Sequence, residues 1–494
     1  MVKTGHDHLQ SLRDGRSVYI DSQKVEDVTV HHAFRNSVAS ACGLYDYQSS
    51  PDNLERMTFE SPTSGKRVNR LWQLPRTRAE LIERRRALEA WAETTCGMIG
   101  RSPDHVGSSL AAMYMGRKIF QQYNPARAKA LADYFEYARD NDLYLSYVII
   151  NPQADRSKTT SDQPGGDLVA RIVDEDTQGI TIRGAKMLGT STIFANELMV
   201  SGFMGLQAGE EDFAFTAMVP MSARGLKVFS RKSYEAAAPS TFDNPLASRF
   251  DENDAVIYFD DVKIPWERVL VHRDVQMAQA QWYDTRAHVY QNYQCQVRLM
   301  VKLRFLAGIA RRIAEINGII NYPAVRETLG LLAAKIQGVE GMVIAMEAAG
   351  EQFGEYFLPN RAMVAASQAI SQQIYPEVIE TLRTLAGGGL IMLPSRAEDF
   401  HNPEFARIIE KTQRSSIVSP QERVKFFKLA WDAIGSEFGS RHHQYEIFYS
   451  GPTFVTRGHA FKAFDWDGAK GLVASLMDSY DLPAAQSGTA VAAE

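Results

Sequence analysis

The residues best suited to chemistry begin at Arg101, within the run CGMIGRSPDH (Cys96–His105). Small apolar residues lead as far as Gly100, and an arginine, a serine, a helix-breaking proline, an aspartate and a histidine follow. Beyond a helix end, a planar guanidinium with its fork of donors can hold an anionic oxygen such as a phenolate or a peroxide. The plainer reading is a cation that complements a helix C-terminus. A second group stands in YVIINPQADR, where a β-like run leaves through Asn151 and Pro152 into Gln153, Asp155 and Arg156. Amide and charged donors at a strand end can grip a flavin or a nucleotide, and a polar turn explains them equally well. In GAKMLGTSTIFANE, Gly189, Thr190, Ser191 and Thr192 suit close approach to a flat ring, or mark a bulge. Finally, Gly387, Gly388 and Gly389 in LAGGGLIMLPS can present backbone N–H groups to a pyrophosphate, although the chain has neither G-x-G-x-x-G nor a Walker pattern.

These groups fall near changes of hydrophobic period. TRAELIERRRALEAWAETTCGMIG places Leu81, Leu88, Trp91 and Ala92 on one helical face, with Thr77 and Glu80 as a capping box. NPARAKALADYFEYARDNDL opens with Asn124 as cap and Pro125 in the first helical position. Residues 1–143 therefore read as a largely helical domain. From Tyr144 the runs become short and β-branched (YVIINP, LVARIVDED, GITIRGAKMLG, ELMVSGFMGL, FAFTAMVP, GLKVFS, DAVIYFDDVKIP), which predicts a β domain over 144–273. Long helical periods return over 274–480, the last major one opening with Ser419, Pro420 and Glu422, and predict a bundle. The small-residue tail 481–494 is expected to be disordered.

Composition excludes several functions. The 494 residues carry a net charge of -5 without a basic block, so nucleic acid is not an expected partner. No apolar run approaches the roughly 20 residues of a membrane span, and the first residues resemble no targeting peptide, so a cytoplasmic address is expected. The cysteines, Cys42, Cys96 and Cys295, lie too far apart in sequence to suggest a zinc site or disulfide framework, and no metal is expected.

Four strings carry a resemblance: LQSLRDGRSVYIDSQKVEDVTVHHAFRN, GMIGRSPDH, SRFDENDAVIYFDDVKIPWERVL and WDAIGSEFGSRHHQYEIFYSG. They are similar to the 4-hydroxyphenylacetate 3-hydroxylase family, the oxygenase component of two-component flavin monooxygenases, over His8 to Gly451. The resemblance implies an α+β, acyl-CoA-dehydrogenase-like fold: a helical domain, a β-barrel or sandwich, and a C-terminal four-helix bundle, assembled as a homotetramer. It also implies reduced FAD (FADH2) delivered by a separate NAD(P)H-dependent flavin reductase. O2 then converts that FAD to a C4a-hydroperoxide, which hydroxylates a phenol and in some members expels a halide or nitro group.

The same resemblance assigns residues. Arg101 matches the substrate-pocket arginine of the family's G-R-[ST]-P-D string. His105 stands where the family has tyrosine, and Tyr147 where it has histidine, so the pair is exchanged relative to the 4-hydroxyphenylacetate pattern. His288 matches the histidine used by the chlorophenol and nitrophenol branch, and is expected to take the phenol's proton while Arg101 holds the anion. Gly202 and Phe203 are expected to close the substrate pocket. Gln153, Asp155, Arg156 and Thr190 are expected beside FAD. Arg231, Gly387, Gly388, Gly389, Arg441, His442, Tyr445 and Glu446 are expected at its phosphates or ring, some from a neighbouring subunit.

A flavin-dependent acyl-CoA dehydratase or dehydrogenase of the same fold is the runner-up. The 4-hydroxybutyryl-CoA dehydratases add an iron–sulfur cluster on two cysteines four apart plus a histidine and a cysteine seven apart. Here His288 and Cys295 keep the second spacing, but Arg101 and His105 replace the first pair. A non-catalytic helical scaffold would explain the bundle, but not the polar residues at three domain joints.

Overall fold

A computed structural model describes residues 2–152, 154–202 and 205–482. Six helices of seven residues or more lie among the described residues of the first 143 positions with the shorter elements around them, and the longest carries the predicted apolar face. Along Arg78–Thr94, Leu81, Leu88, Trp91 and Ala92 are all buried. The Thr77 cap is half of the expected box. Its hydroxyl accepts from the Glu80 amide at 3.2 Å, but the Glu80 carboxylate accepts from Arg76 N instead. Asn124 and Pro125 start Pro125–Asp140 as expected.

The first stretch is less purely helical than its long periods predict. Ser17–Ile20 and Gln23–Val25 form a hairpin on the edge of a six-stranded sheet, in the order Gln23–Val25, Ser17–Ile20, Leu226–Ser230, Ala255–Pro265, Gly179–Lys186, Arg171–Asp176. A four-stranded sheet runs Val269–Val271, Thr216–Pro220, Glu197–Val200, Leu145–Val148. Most neighbours are antiparallel, and Leu145–Val148 pairs with Glu197–Val200 in parallel, so both strands deliver their C-terminal ends to the same side. Short β-branched runs of this kind bury alternate residues and end at glycine or proline. Val228, Ile257, Phe259, Val262, Ile180 and Ile182 are buried in one core with Val18 and Ile20.

The bundle is built on three long helices, Ala287–Ile316, Pro323–Ala348 and Arg361–Ala386, with Pro420–Ile434 and Glu437–Phe448 packed alongside. Ser419 and Glu422 form the full capping box. Pro323–Ala348 corrects one expectation, since by length and composition it could cross a membrane. It packs instead through Leu332, Ile336, Val339 and Val343 into the bundle core.

Candidate active site

The path around Arg101 follows from two glycines. The first helix ends where Cys96 and Gly97 turn left-handed, at φ 53° and 70°. A Cβ on Gly97 would lie 2.7 Å from Lys302 Cβ, and one on Gly100 would lie 2.6 Å from Tyr445 Oη. Only glycine lets the chain pass this close to the bundle. Pro103 then starts a helix, Pro103–Met115, with Ser102 as cap. Thus the expectation of a helix-breaking proline followed by a loop is corrected: proline is favoured in the first helical turn. Arg101 precedes a helix N-terminus instead of following a C-terminus, so the dipole cannot explain it.

His105 consequently sits in a first helical turn and is 1% exposed. Gln291 Nε2 donates to its Nε2 at 2.7 Å, Arg101 Nη1 closes on the same atom, and its Nδ1 meets Gln294 Oε1 at 3.2 Å. Two donors at Nε2 require its lone pair, so the ring is neutral with its proton on Nδ1. Burial, and then the Arg101 charge, hold its pKa well below the usual histidine value. Tyr147 stacks on His105 with ring centroids 5.4 Å apart, and the Arg101 guanidinium carbon lies 5.2 Å from the Tyr147 ring centre. The exchanged histidine and tyrosine are therefore direct neighbours, and Arg101 serves both. Cys295 Sγ lies 3.4 Å from His105 Nδ1.

Below this cluster lies a buried ionic floor. Glu446 accepts from Arg298 Nη2 and Lys302 Nζ, each at 2.9 Å, and Lys302 Nζ also meets His442 Nδ1 at 3.0 Å. Although burial opposes its charge, Arg298 and Lys302 hold Glu446 down at about 2, while burial lowers Lys302 to about 8. The Tyr445 ring stands among three guanidiniums, with Arg441, Arg101 and Arg298 at 4.9, 5.3 and 5.4 Å from its centre. The acidic run FDENDA forms the adjoining wall. Glu252 accepts from Arg101 N and Arg441, and Asp254 from Thr190, Arg231 and Arg441. Arg231 also pairs with Asp251 at 2.7 Å. Within this chain Arg231, Arg441 and Glu446 are thus all engaged in ion pairs.

His288 lies at the start of the same helix that carries Gln291, Gln294 and Cys295, but its ring meets different partners. Its centroid is 4.8 Å from His459 and 5.4 Å from Tyr283. Burial, His459 and Arg361 lower it to about 3. His288 thus meets Tyr283 and His459, whereas Cys295 meets His105. Tyr147 packs near Trp282, whose indole donates to Gly202 O at 3.3 Å, and so links the cluster to the predicted pocket wall.

Other expectations scatter. Asp155 and Arg156 lie on an exposed loop, while Gln153 and Phe203 fall outside the described residues. Gly387–Gly389 lie at the far end of the Arg361–Ala386 helix, where Gly387 (φ 57°) ends it and a Cβ on Gly387 or Gly388 would meet nothing within 4 Å. One residue escaped the sequence reading. Lys186 is 2% exposed, its ammonium donates to Asn151 Oδ1 at 2.7 Å, and burial lowers it to about 7. Its signal was a lysine ending a strand of otherwise apolar or small inward residues.

Family models for the 4-hydroxyphenylacetate 3-hydroxylase N-terminal and C-terminal regions match residues 4–271 and 278–478. The chain belongs to the 4-hydroxyphenylacetate 3-hydroxylase family. It is 37% identical over 456 residues to the pyoverdin chromophore biosynthetic protein PvcC of Pseudomonas aeruginosa, covering 91% of this chain and 89% of that one. It is 34% identical to the oxygenase component of a Rhodococcus 4-nitrophenol 2-monooxygenase, over 97% and 91% of the two chains. Among solved structures, the oxygenase component of 4-hydroxyphenylacetate 3-monooxygenase, complexed with FAD and 4-hydroxyphenylacetate, superposes with a TM-score of 0.91 at 29% identity over 97% and 98% of the chains. The fold is the acyl-CoA-dehydrogenase-like one.

Proposed function

We propose that this chain is the oxygenase component of a two-component monooxygenase that hydroxylates a phenol, with reduced FAD from a separate NAD(P)H-dependent reductase. The observation that carries this reading is the buried Arg101–His105–Tyr147 cluster, in a chain whose whole length matches the family. FAD fits the residues present. Tyr445 Oη and His442 Nε2 are buried without hydrogen-bond partners, and a Cβ on Gly202 would lie 3.8 Å from the Lys186 ammonium. Thr190, Ser191, Lys186 and Gly202 would hold the ring, and the loop of Asp155 and Arg156 its tail. Gly387–Gly389, at the remote end of the bundle, would reach cofactor only in a neighbouring subunit. Reduced FAD with O2 supplies the electrophilic oxygen.

The chain's own residues prepare the phenol. Arg101 faces its oxygen and stabilises the anion, because a charge-assisted contact in a dry site is stronger than in water. That lowers the phenol's pKa from about 10 toward neutrality. Neutral His105 receives the proton at Nε2 once Arg101 turns from that atom to the phenol's oxygen and the Gln291 amide rotates to accept, while Gln294 holds the other nitrogen in its donor role. His288, on the next cleft, is the second base candidate. Tyr147 orients the ring against His105. The assembly reading is a homotetramer, supported by apolar side chains left exposed on the bundle, Leu331 at 58% and Ile344 at 56%. The NAD(P)H requirement of the reductase supports a cytoplasmic address.

The test is incubation of the purified chain with a flavin reductase, NADH, FAD and a panel of phenols under 18O2. The expected product carries one 18O on the ring and requires both proteins. Hydrogen peroxide as the sole oxygen product with every phenol would overturn the reading.

A further inference from the structure

Asp104, in the first turn of Pro103–Met115, is 2% exposed. An acid at that place in a helix ordinarily faces water, where the dipole favours it just as well. Here its side-chain partners are neutral: the Ser102 hydroxyl donates to Oδ1, and Gln294 Nε2 donates to Oδ2 at 3.0 Å. Burial raises its pKa in spite of both hydrogen bonds and the Arg84 charge. A carboxyl buried among neutral donors is costly, and helix capping does not require that burial.

The direction of each hydrogen bond supplies the missing reason. A carboxylate only accepts, so it turns the Gln294 NH2 toward itself and leaves the amide oxygen facing His105 Nδ1 at 3.2 Å. That oxygen can meet only a protonated Nδ1, which leaves the lone pair on Nε2. In the resting cluster Arg101 and the Gln291 amide demand the same tautomer from the other side of the ring. Both give up that role when Arg101 turns to the phenol and Gln291 accepts. During proton transfer, Gln294 and Asp104 are then what still holds the ring's polarity.

We propose that Asp104 is a positioning residue for the proton transfer: through the Gln294 amide it keeps Nε2 the accepting atom of His105 and steadies the imidazolium that forms. The inference rests on the reading of His105 as the base. One proton passes from the phenol oxygen to Nε2, and Nδ1 keeps its own. The charged or titratable groups facing His105 are Arg101 on the loop before the helix, Tyr147 on Leu145–Val148, and Cys295 and Arg298 on Ala287–Ile316, while Arg84 faces Asp104. Of these, the Cys295 thiol competes for the Nδ1 proton, and sulfur accepts only weakly.

The test reads proton transfer without turnover. 4-Nitrophenol is bound anaerobically to the full chain loaded with reduced FAD, and phenolate absorbance gives the pH at which the bound probe is half ionised. His105→Gln, the control for the base, should raise that pH. Asp104→Leu and Gln294→Met should each raise it by about one unit, a tenfold change in the transfer equilibrium, as expected for one hydrogen bond to a charged group. The double variant should move no further than either single one, because both cut the same relay. Asp104→Asn, which keeps an oxygen to offer Gln294, should shift it less than Asp104→Leu. Additive shifts, or a Gln294→Met variant that ionises the probe like the unaltered chain, overturn the proposal while the His105 control still responds. If the His105 control is silent, the base reading falls and the relay falls with it.

Discussion

Two buried histidines on one side of the bundle, His105 and His288, meet the same long helix within three turns of each other and live under different rules. Around His105 the polar atoms answer one another: Gln291 and Arg101 at one nitrogen, Gln294 at the other, Asp104 behind Gln294 at 3.0 Å. Around His288 they do not, because Gln368 and His459 keep unmet groups and Arg361 and Lys462 unmet charge. A satisfied cluster is rigid and ready to steer a reaction, whereas an unsatisfied cleft is ready to be filled. The first is where we place the reacting ring.

The largest effect should come from beneath the first cluster. Glu446→Gln leaves Arg298 and Lys302 buried with no anion, and should cost about 3–5 kcal/mol in urea unfolding. A loss below 1 kcal/mol would mean that the floor is not what stiffens the site. Next, Arg101→Ala should lower kcat/KM by about 10²-fold or more for every phenol, ionised or not. Steady-state kinetics with an ordinary phenol and a nitrophenol read this directly, and sparing of either would break the assignment. The comparison itself is sharpened by His105→Gln and His288→Gln. The first should slow an ordinary phenol about 10²-fold while hardly touching one already ionised, since only the former has a proton to move. If His288→Gln shows that selectivity instead, the base belongs to the second cleft.

The last expectation concerns the pH dependence of stability. Burial keeps His8, His105 and His288 below the ordinary histidine value, and His288 at about 3. Below about pH 6.5 the unfolded chain binds protons that the folded one refuses. Stability should therefore fall as pH drops from 6.5 toward 3, by up to about 1.4 kcal/mol per pH unit for each such histidine. His8 is fully buried against the Tyr45 ring, so His8→Phe should make that decline shallower. Denaturation midpoints across pH 4–7 would show an unchanged slope if His8 is not part of it.

The succession of helical and β-like runs was readable from the chain because each is periodic over many residues. Every β-like run quoted from Tyr144 to Pro265 contains or overlaps an observed strand. Short elements were not readable: Ser17–Ile20 and Gln23–Val25 have too few residues to display a period, and their place in the sheet is fixed by a partner more than 200 positions away. Pro103 was misread for a local reason, since proline ends one helix and starts another with the same ring. Within the site, Arg101, His105 and Tyr147 were each visible, but not that they touch. Gln291 and Gln294 were hidden because an amide in a helix advertises nothing until a histidine faces it. The ion pairs of Arg441 with Glu252 and Asp254 were hidden because the partners lie far apart in sequence.

An enzyme that makes an oxidant for phenols is itself full of phenols. Tyr147 and Tyr445 flank Arg101, the group we propose to stabilise a bound phenolate, and so stand in the line of fire. Their immersion in protein is their armour. Desolvation pushes both hydroxyls above the ordinary tyrosine value even with Arg101 alongside, so neither ring becomes the electron-rich phenolate that the oxidant seeks. The same guanidinium can thus arm a visitor and spare its neighbours, and loosening the packing over either tyrosine should turn the catalyst's chemistry on itself.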